Sequence, residues 1–341
     1  MSRIAALGEI MMRLSPPGNL RFRQASSFEI HYGGSEANAA AEFAQLGHEA
    51  VFLSALPEGA LGDSAIACLR GFGIDCSRIV RSGSRIGLYF LENGASVRAS
   101  SVIYDRAGSA FSEAGPDSYD FEKALKGADL LHLSGISPVL SRTAYEVTLA
   151  AARAAAAAGI PVSLDLNYRS RLWENDISEK QERMRTLMQY VDILFGNPLD
   201  AARCLHYTSD AWDPASGYEG AIAEAAMNRM AKDYGLRYLV ASNRRSLSAS
   251  DNVLSGLVSD GTVLYTGRCH AIHIVDRVGG GDALDAGFLH GILNGWGMAE
   301  ALEFGLAASA LKHTIPGDIS FTDEAEIRKL METGGSGRVE R

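Results

Sequence analysis

Short apolar runs alternate with helical stretches along most of this 341-residue chain. The apolar runs predict buried strands at residues 3–7, 49–56, 128–135, 160–167, 191–197 and 236–242. Helix-forming stretches lie between and after them, at residues 35–46, 62–72, 141–158, 178–190, 218–234, 282–295 and 298–313. Strands and helices in this order form βαβ crossovers, so the sequence predicts an α/β fold with a mostly parallel central sheet between two helix layers. Ligands of such sheets bind at the carboxyl ends of the strands.

Two stretches, residues 8–34 and 86–106, break this alternation. Their segments "FEIHY", "GLYFLE" and "SVIYDR" alternate in polarity with no helix between them, which is typical of antiparallel strands. We therefore expect a small antiparallel β lid, inserted into a single domain that spans residues 1–333. The last residues, 334–341, offer little to pack and are expected to form a mobile tail.

The formal net charge of −9 and the pI near 5.4 limit the classes of partner. An acidic chain has no broad positive field for a phosphate backbone, so nucleic acid is not expected as a ligand. No apolar run approaches the 18 or so residues of a membrane span and no leader peptide is evident, so we expect neither membrane insertion nor export. The four cysteines lack CxxC spacing, which favours reduced thiols and a cytoplasmic protein.

Three consecutive glycines stand directly before an aspartate in "DRVGGGDALDAGF", residues 276–288. This is not GxGxxG, because Leu284 interrupts the spacing, and no GK[ST] follows as in a Walker A loop. Glycines that join the predicted strand at 270–275 to a helix leave backbone N–H groups uncovered at the positive end of the helix dipole, where an anion can bind. Asp282 is then a candidate proton acceptor for a nucleophile that attacks this anion. A helix-start aspartate of purely structural use fits the same letters.

A second glycine pair, Gly33 and Gly34, precedes the helix predicted at residues 35–46, and Asn38 lies one turn into that helix. Glycines allow a ligand close to the backbone, and an amide both donates to and accepts from hydroxyl groups. The two glycine motifs together resemble the two signatures of the ribokinase-like (PfkB) family of carbohydrate kinases. The resemblance extends over essentially the whole chain. The segments "GEIMMRLSPPG", "VIYDRAGSA", "DLNYRSRLW" and "LKHTIPGD" are similar to the branch that phosphorylates 2-keto-3-deoxygluconate.

This resemblance implies a three-layer α/β/α sandwich with a small β lid, and a homodimer or higher homo-oligomer formed through the lids. It implies that Asp282 is the catalytic base and that Gly279, Gly280 and Gly281 form the anion hole. The residues that it assigns to the sugar acid are Gly33, Gly34, Asn38, Tyr89, Tyr104, Arg106, Asn167 and Arg169. The two arginines would bind the substrate carboxylate, since guanidinium does so bidentately. Each arginine also fits an ordinary surface charge.

On the nucleotide side, the resemblance implies ATP and Mg²⁺, with K⁺ as a further candidate held between Asp276 and the loop after Lys312. Asn197 and Asp200 match a family motif that steers Mg²⁺ through waters, without direct protein ligands to the metal. Asn197 followed by proline also fits an ordinary helix N-terminus. A polar loop over residues 242–255 is expected to hold the nucleotide. Its candidate contacts are Ser242, Asn243 and Arg245.

The sequence thus predicts an ATP-dependent kinase that phosphorylates the terminal hydroxyl of a sugar acid. One alternative is a kinase of the same family for a neutral sugar or nucleoside, such as fructose or ribose. A second alternative, from another class, is a sugar or nucleotide sensor that has kept the fold and lost catalysis. The presence of Asp282 favours the enzyme.

Overall fold

The computed structural model describes residues 1–210 and 220–334. The strands are β1 Arg3–Leu7, β2 Met11–Ser15, β3 Glu29–Gly33, β4 Glu49–Leu56, β5 Ile79–Arg81, β6 Gly87–Glu92, β7 Ser101–Asp105, β8 Leu130–Ser134, β9 Val162–Asp165, β10 Ile193–Phe195, β11 Tyr238–Ser246, β12 Asp251–Ser259, β13 Leu264–Thr266 and β14 His270–His273. The α-helices are α1 Ser35–Gln45, α2 Ala60–Gly71, α3 Ala110–Glu113, α4 Phe121–Leu125, α5 Ser137–Leu140, α6 Arg142–Ala157, α7 Ile177–Met188, α8 Pro198–Leu205, α9 Gly220–Asp233, α10 Gly280–Leu293, α11 Met298–Lys312 and α12 Glu324–Thr333. The predicted tail at 334–341 lies, apart from Gly334, outside the described residues, as do the first two residues of the helix predicted at 218–234.

The central sheet has the order β13-β12-β11-β10-β9-β8-β1-β4-β5, and β14 also pairs with β12. Neighbouring strands from β11 to β5 are parallel, whereas β12 pairs antiparallel with β11, β13 and β14. This confirms the predicted α/β fold and its mostly parallel sheet. Because the parallel strands share one direction, their carboxyl ends meet along one edge, where the functional side chains gather.

Helices cover both faces of the sheet and bury its apolar side chains in two cores. Helices α6 to α9 pack on one face, and α1, α2, α10 and α11 pack on the other. Helix α6 shows how the sequence achieves this, since Ala144, Val147, Ala151 and Ala155 recur at helical spacing on its buried face. The helix begins where the Ser141 hydroxyl accepts from the N–H of Ala144 over 2.9 Å. None of the helices in the described residues combines the length and hydropathy that a bilayer span requires.

The second sheet, here called the lid sheet, consists of strands β3, β2, β6 and β7 in that order. Its outer pairings, β2 with β3 and β6 with β7, are antiparallel as expected. The central pairing of β2 with β6 is parallel. Strands β2 and β6 follow the parallel strands β1 and β5, so the chain leaves the same edge of the central sheet in the same direction both times.

The polar stretch predicted as a loop at residues 242–255 is instead a β-hairpin. Strand β11 continues through Ser246 and pairs antiparallel with β12, with Ser242 opposite Gly256 and Arg244 opposite Leu254. The prediction was wrong because "SNRRS" has no apolar residue to mark a strand. The pairing depends on the partner strand, whose Asn252, Leu254 and Val258 are buried.

Candidate active site

The glycine turn before α10 forms an open helix N-terminus. Gly279 has φ of 84°, and a Cβ atom there would lie 1.8 Å from the Asp318 carbonyl oxygen, so only glycine fits. The first hydrogen bond of this turn runs from the N–H of Ala283 to the carbonyl of Gly279, over 2.9 Å. The N–H groups of Gly280, Gly281 and Asp282 therefore have no acceptor within the helix. These residues line a cavity of about 520 Å³, and space is open around the Gly281 Cα.

Asp282 lies in the first turn of α10 but does not cap it. Helix α10 begins at Gly280, two residues before the predicted start, and no side chain of the described residues caps its N-terminus. The Asp282 carboxylate instead accepts from the hydroxyl of Ser35 and from the amide of Asn38, each over 2.7 Å. Asp282 is thus a helix-start aspartate by position but does not cap the helix, and its two oxygens are held by α1 at the wall of the cavity.

Three aspartates line this wall and interact through their charges: half-buried Asp165 at the end of β9, and buried Asp282 and Asp285 on α10. Burial, and then the charge of Asp282, raises the pKa of Asp165 to about 7. Burial, and then Asp165 and Asp282, raises the pKa of Asp285 well above its ordinary value. Asp285 also keeps one buried oxygen without a hydrogen-bond partner among the described residues.

Asp282 differs from these two neighbours in what surrounds its charge. Burial raises its pKa, but the hydrogen bonds from Asn38 and Ser35 and the charges of Arg169 and Lys312 lower it. When neighbouring carboxyl groups have different pKa values, the group with the lower pKa is ionised and can act as a base, and the group with the higher pKa stays protonated and can act as an acid. Both oxygens of Asp282 accept hydrogen bonds from α1, which favours its ionised form, so Asp282 is the candidate proton acceptor of the three.

The residues that the sequence predicted to bind the sugar acid lie together on the lid sheet and on the cavity wall beneath it, and all except Gly33 line the cavity. Tyr89 donates a hydrogen bond to the Asp318 carboxylate, and its ring centroid lies 6.0 Å from that of Tyr104. The Asn167 amide donates to the Ser35 hydroxyl over 2.8 Å. Asn167 therefore extends the chain of hydrogen bonds from Ser35 to Asp282.

The two predicted carboxylate-binding arginines differ in their surroundings. Arg106 is buried and its guanidinium pairs with the Glu9 carboxylate, 97 residues away in the sequence, so its charge is already neutralised. Arg169 follows strand β9 and has no acidic side chain within 4 Å among the described residues. Its charge lowers the pKa of both Asp165 and Asp282, which places it beside the carboxylate trio.

The nucleotide contacts predicted from the hairpin need a correction. Side chains alternate between the two sides of a strand, so Ser242 and Arg244 line the cavity, whereas Asn243 and Arg245 do not. Arg277, in the glycine turn, reaches the hairpin and donates to the Ala249 carbonyl over 2.9 Å. Burial, and then the charges of Arg277 and Arg169, lowers the pKa of Arg244. Besides Arg106, which is paired with Glu9, three guanidiniums thus line one cavity: those of Arg169, Arg244 and Arg277.

Asn197 and Asp200 form the N-terminus of α8. The Asn197 side chain accepts from the N–H of Asp200 and donates to its carboxylate, each over 2.9 Å, and Pro198 occupies the first helical position. This confirms that Asn197 and Pro198 form an ordinary helix N-terminus, the structural alternative that the sequence left open for this motif. Both residues also line the cavity, and burial raises the pKa of Asp200. No group of three or more His, Cys, Asp or Glu side chains in the described residues could hold a metal ion by itself.

Several residues of the site were not found by sequence reasoning. They are Ser35, Asp165, Arg244, Arg277, Asp285 and Asp318. Asp165 had a usable signal, because it stands at the end of a predicted strand in "DLNYR". Arg244 had none, since nothing in "SNRRS" tells which arginine faces the cavity.

Comparison with known proteins agrees with this geometry. The family model of the pfkB family carbohydrate kinases matches residues 1–325. The chain belongs to the pfkB family of carbohydrate kinases, and the resemblance seen in its glycine motifs is confirmed.

Individual relatives match almost end to end. A 2-dehydro-3-deoxygalactonokinase of Haloferax volcanii is 31% identical over 98% of this chain and 98% of its own length. A 2-dehydro-3-deoxygluconokinase of Thermoproteus tenax is 29% identical over 93% of this chain and 90% of its own. The crystal structure of a 2-dehydro-3-deoxygluconokinase from Thermotoga maritima superposes with a TM-score of 0.92 at 41% identity, covering 97% of this chain and 98% of the other.

Proposed function

We propose that this kinase transfers the γ-phosphoryl group of ATP to the terminal hydroxyl of 2-keto-3-deoxygluconate, giving 2-keto-3-deoxy-6-phosphogluconate. The observation that carries the proposal is the Asp282 carboxylate, held by Ser35 and Asn38 beside the open N-terminus of α10. The named relatives act on sugar acids of this class. We treat residues 1–333 as one kinase domain, with the lid sheet as its lid.

In this reaction Asp282 accepts the proton of the terminal hydroxyl as its oxygen forms a bond to the γ-phosphorus. The bond from that phosphorus to the bridging oxygen breaks, and ADP leaves. The N–H groups of Gly280, Gly281 and Asp282 stabilise the negative charge on the transferred group, because they are fixed donors at a helix N-terminus and have no acceptor within the helix. The product proton leaves from Asp282 to solvent when the cavity opens.

Arg244 and Arg277 are proposed to bind the triphosphate. Their guanidiniums line the same cavity as the glycine turn and have no acidic partner within 4 Å among the described residues. Clustered cations without counterions fit a polyanion, and guanidinium binds phosphate bidentately. Mg²⁺ would be held by phosphate oxygens and by waters near Asn197 and Asp200, where it would neutralise charge on the phosphates. The Asp276 carboxylate that would hold K⁺ is paired with Arg13, so K⁺ is left out of the proposed reaction.

Arg169 is proposed to bind the carboxylate of the sugar acid. It is the one arginine of the predicted pair whose charge is not balanced by a neighbouring described carboxylate within 4 Å. The sugar hydroxyls would lie against Gly34, Asn38 and Asn167, under Tyr89 and Tyr104. A neutral sugar would leave the Arg169 guanidinium without a partner.

We propose that the lid sheets of two copies pack together in a homodimer. Large apolar side chains are exposed on lid strands β3 and β7, with Ile30 58% exposed and Ile103 48% exposed, and Phe28 beside them is 42% exposed. Adjoining exposed apolar side chains are typical of a surface that another chain covers. A sedimentation measurement on the wild type and on Ile30→Lys tests this.

The four cysteines are all free thiols, which suits a cytoplasmic enzyme.

A panel assay of ADP release tests the substrate. The acceptors are 2-keto-3-deoxygluconate, its galacto epimer, gluconate, fructose and ribose, each with ATP and Mg²⁺. We expect 2-keto-3-deoxygluconate to give the highest kcat/KM. The galacto epimer is the second candidate, because the Haloferax volcanii relative bears its name. Activity confined to neutral sugars would refute the sugar-acid assignment, and sugar binding without ADP formation would favour a sensor.

A further inference from the structure

A buried ion cluster connects the lid sheet to the glycine turn. Arg13, on lid strand β2, is 1% exposed. Its guanidinium contacts Asp276 over 2.6 Å and Asp318 over 3.0 Å, and its Nε donates to the Ser15 hydroxyl over 2.7 Å. Asp276 begins the segment that leads into the glycine turn, and the backbone of Asp318 packs against Gly279. One arginine therefore joins the lid to both sides of the anion-binding turn.

The two carboxylates of this cluster are occupied by protein donors. Besides Arg13, Asp276 accepts from the N–H of Val278 and from the N–H of Gly317, each over 3.1 Å. Asp318 also accepts from the hydroxyl of lid residue Tyr89. The oxygens of both carboxylates thus already accept hydrogen bonds from protein donors, N–H groups at Asp276 and the Arg13 guanidinium and Tyr89 hydroxyl at Asp318.

A second fixed cation lies behind the turn. Lys312 is fully buried, donates to the Ile315 carbonyl over 3.1 Å, and has its Cε 3.1 Å from where a Cβ of Gly279 would stand. Its charge is close enough to Asp276 for the two to interact electrostatically. Arg13 and Lys312 together supply two positive charges beside the two negative charges of Asp276 and Asp318, so these four charges balance one another.

From this arrangement we propose that Arg13 is a built-in cation that stands where a monovalent cation such as K⁺ would bind beside the glycine turn. It acts as a positioning residue, because it fixes the turn that carries Asp282 and the aspartate that holds Tyr89. The enzyme should therefore work equally well with Na⁺ or K⁺. The proposal rests on the proposed kinase reaction for its kinetic part, while its cation-binding part stands apart from that reaction.

Chemical rescue tests the proposal. Arg13→Ala removes the guanidinium and should lower kcat about 100-fold, the scale of a misplaced catalytic geometry. Guanidinium ion at about 10–50 mM, well below its denaturing range, should occupy the space of the lost side chain and raise the kcat of the variant at least tenfold. Arg21→Ala, which removes a 57% exposed arginine from the loop between β2 and β3, is the matched control and should be insensitive to guanidinium.

The second readout is thermal unfolding in chloride salts of Na⁺, K⁺ and guanidinium at equal ionic strength. The wild type should melt at the same temperature in Na⁺ and K⁺. Arg13→Ala should melt lower and be raised by guanidinium relative to Na⁺. A wild-type rate or melting temperature that rises in K⁺ over Na⁺ overturns the proposal, as does an Arg13→Ala variant that guanidinium does not help.

If Arg13→Ala does not fold, Arg13→Lys keeps the charge with fewer donors. We then expect a smaller loss of kcat and the same indifference to K⁺, and activation of this variant by K⁺ would overturn the proposal. A wild type that melts equally in both salts yet phosphorylates none of the panel would refute the proposed function, while still supporting the built-in cation.

Discussion

The Asn38 amide donates a hydrogen bond to Asp282 over 2.7 Å, which joins the first turn of α1 to the first turn of α10. The sequence assigned Asn38 to the sugar, but in this structure its amide nitrogen serves the base. The Ser35 hydroxyl donates a hydrogen bond to the other carboxylate oxygen of Asp282. Burial raises the pKa of Asp282, and both donors lower it because they stabilise the ionised carboxylate.

Asp282→Asn should abolish turnover while ATP binding remains. An amide cannot accept the proton, so we expect kcat to fall at least about 10³-fold, at the scale of general-base catalysis. ADP release at saturating substrate measures the loss, and calorimetric titration with ATP measures binding. Turnover near the wild-type rate would refute the role of Asp282 as base.

Ser35→Ala should move the acid limb of the kcat/KM profile to higher pH. The ionised form of Asp282 loses one hydrogen bond, so its pKa rises further. The base must be ionised, so activity at low pH falls while the plateau at high pH changes less. Ser54→Ala removes a buried hydroxyl that has no hydrogen-bond partner among the described residues, and serves as the control. An unchanged acid limb in Ser35→Ala would show that the hydrogen bond from Ser35 does not influence the pKa that governs the reaction.

Arg169→Ala should raise KM for a sugar acid about 10–100-fold, which is the loss of one charge-assisted pair. The effect on a neutral sugar should be much smaller, since that substrate has no carboxylate. Arg171→Ala is the control, because Arg171 is exposed and its guanidinium donates a hydrogen bond to the Val102 carbonyl. Equal losses for sugar acid and neutral sugar would instead assign Arg169 to the transferred phosphoryl group.

Arg244→Ala and Arg277→Ala should each raise KM for ATP about tenfold and leave KM for the sugar acid nearly unchanged. The hairpin provides its own control, because Arg245 adjoins Arg244 but does not line the cavity. Initial rates over a matrix of both substrate concentrations measure the two KM values. An Arg245→Ala variant as impaired as Arg244→Ala would show that the hairpin register does not decide which residue binds ATP.

His132 should make the protein less stable in acid. Its ring is fully buried, and burial lowers its pKa to about 4. The unfolded chain takes up the proton near pH 6.5 and the folded protein does not, so stability is intact above pH 6.5 and falls as the pH drops towards 4, by about 3 kcal/mol or less. Urea unfolding at pH 7 and 4.5 should show a smaller difference for His132→Leu than for the wild type. His206→Asn, at an exposed position with left-handed φ, should change that difference little.

The alternation of strands and helices could be predicted because each run carries its own periodicity. The glycine turn could be predicted because its letters are unusual and contiguous. Contacts between distant segments could not, such as Glu9 with Arg106, since only the folded chain brings them together. The hairpin at 242–255 failed for a related reason: a one-residue difference in register decides whether Arg244 or Arg245 faces the cavity.

Strand β3 ends at Gly33 and α1 begins at Ser35, so a single residue separates the lid sheet from the side chains that hold Asp282. A Cβ atom on that residue, Gly34, would lie 1.9 Å from the Glu9 carbonyl oxygen. The linking residue is therefore tightly packed against the neighbouring backbone. We expect any shift of the lid to pull on Ser35 and Asn38. Covering the sugar and aiming the base would then be one motion, and ATP arriving alone would meet a base that is not yet aligned to activate water.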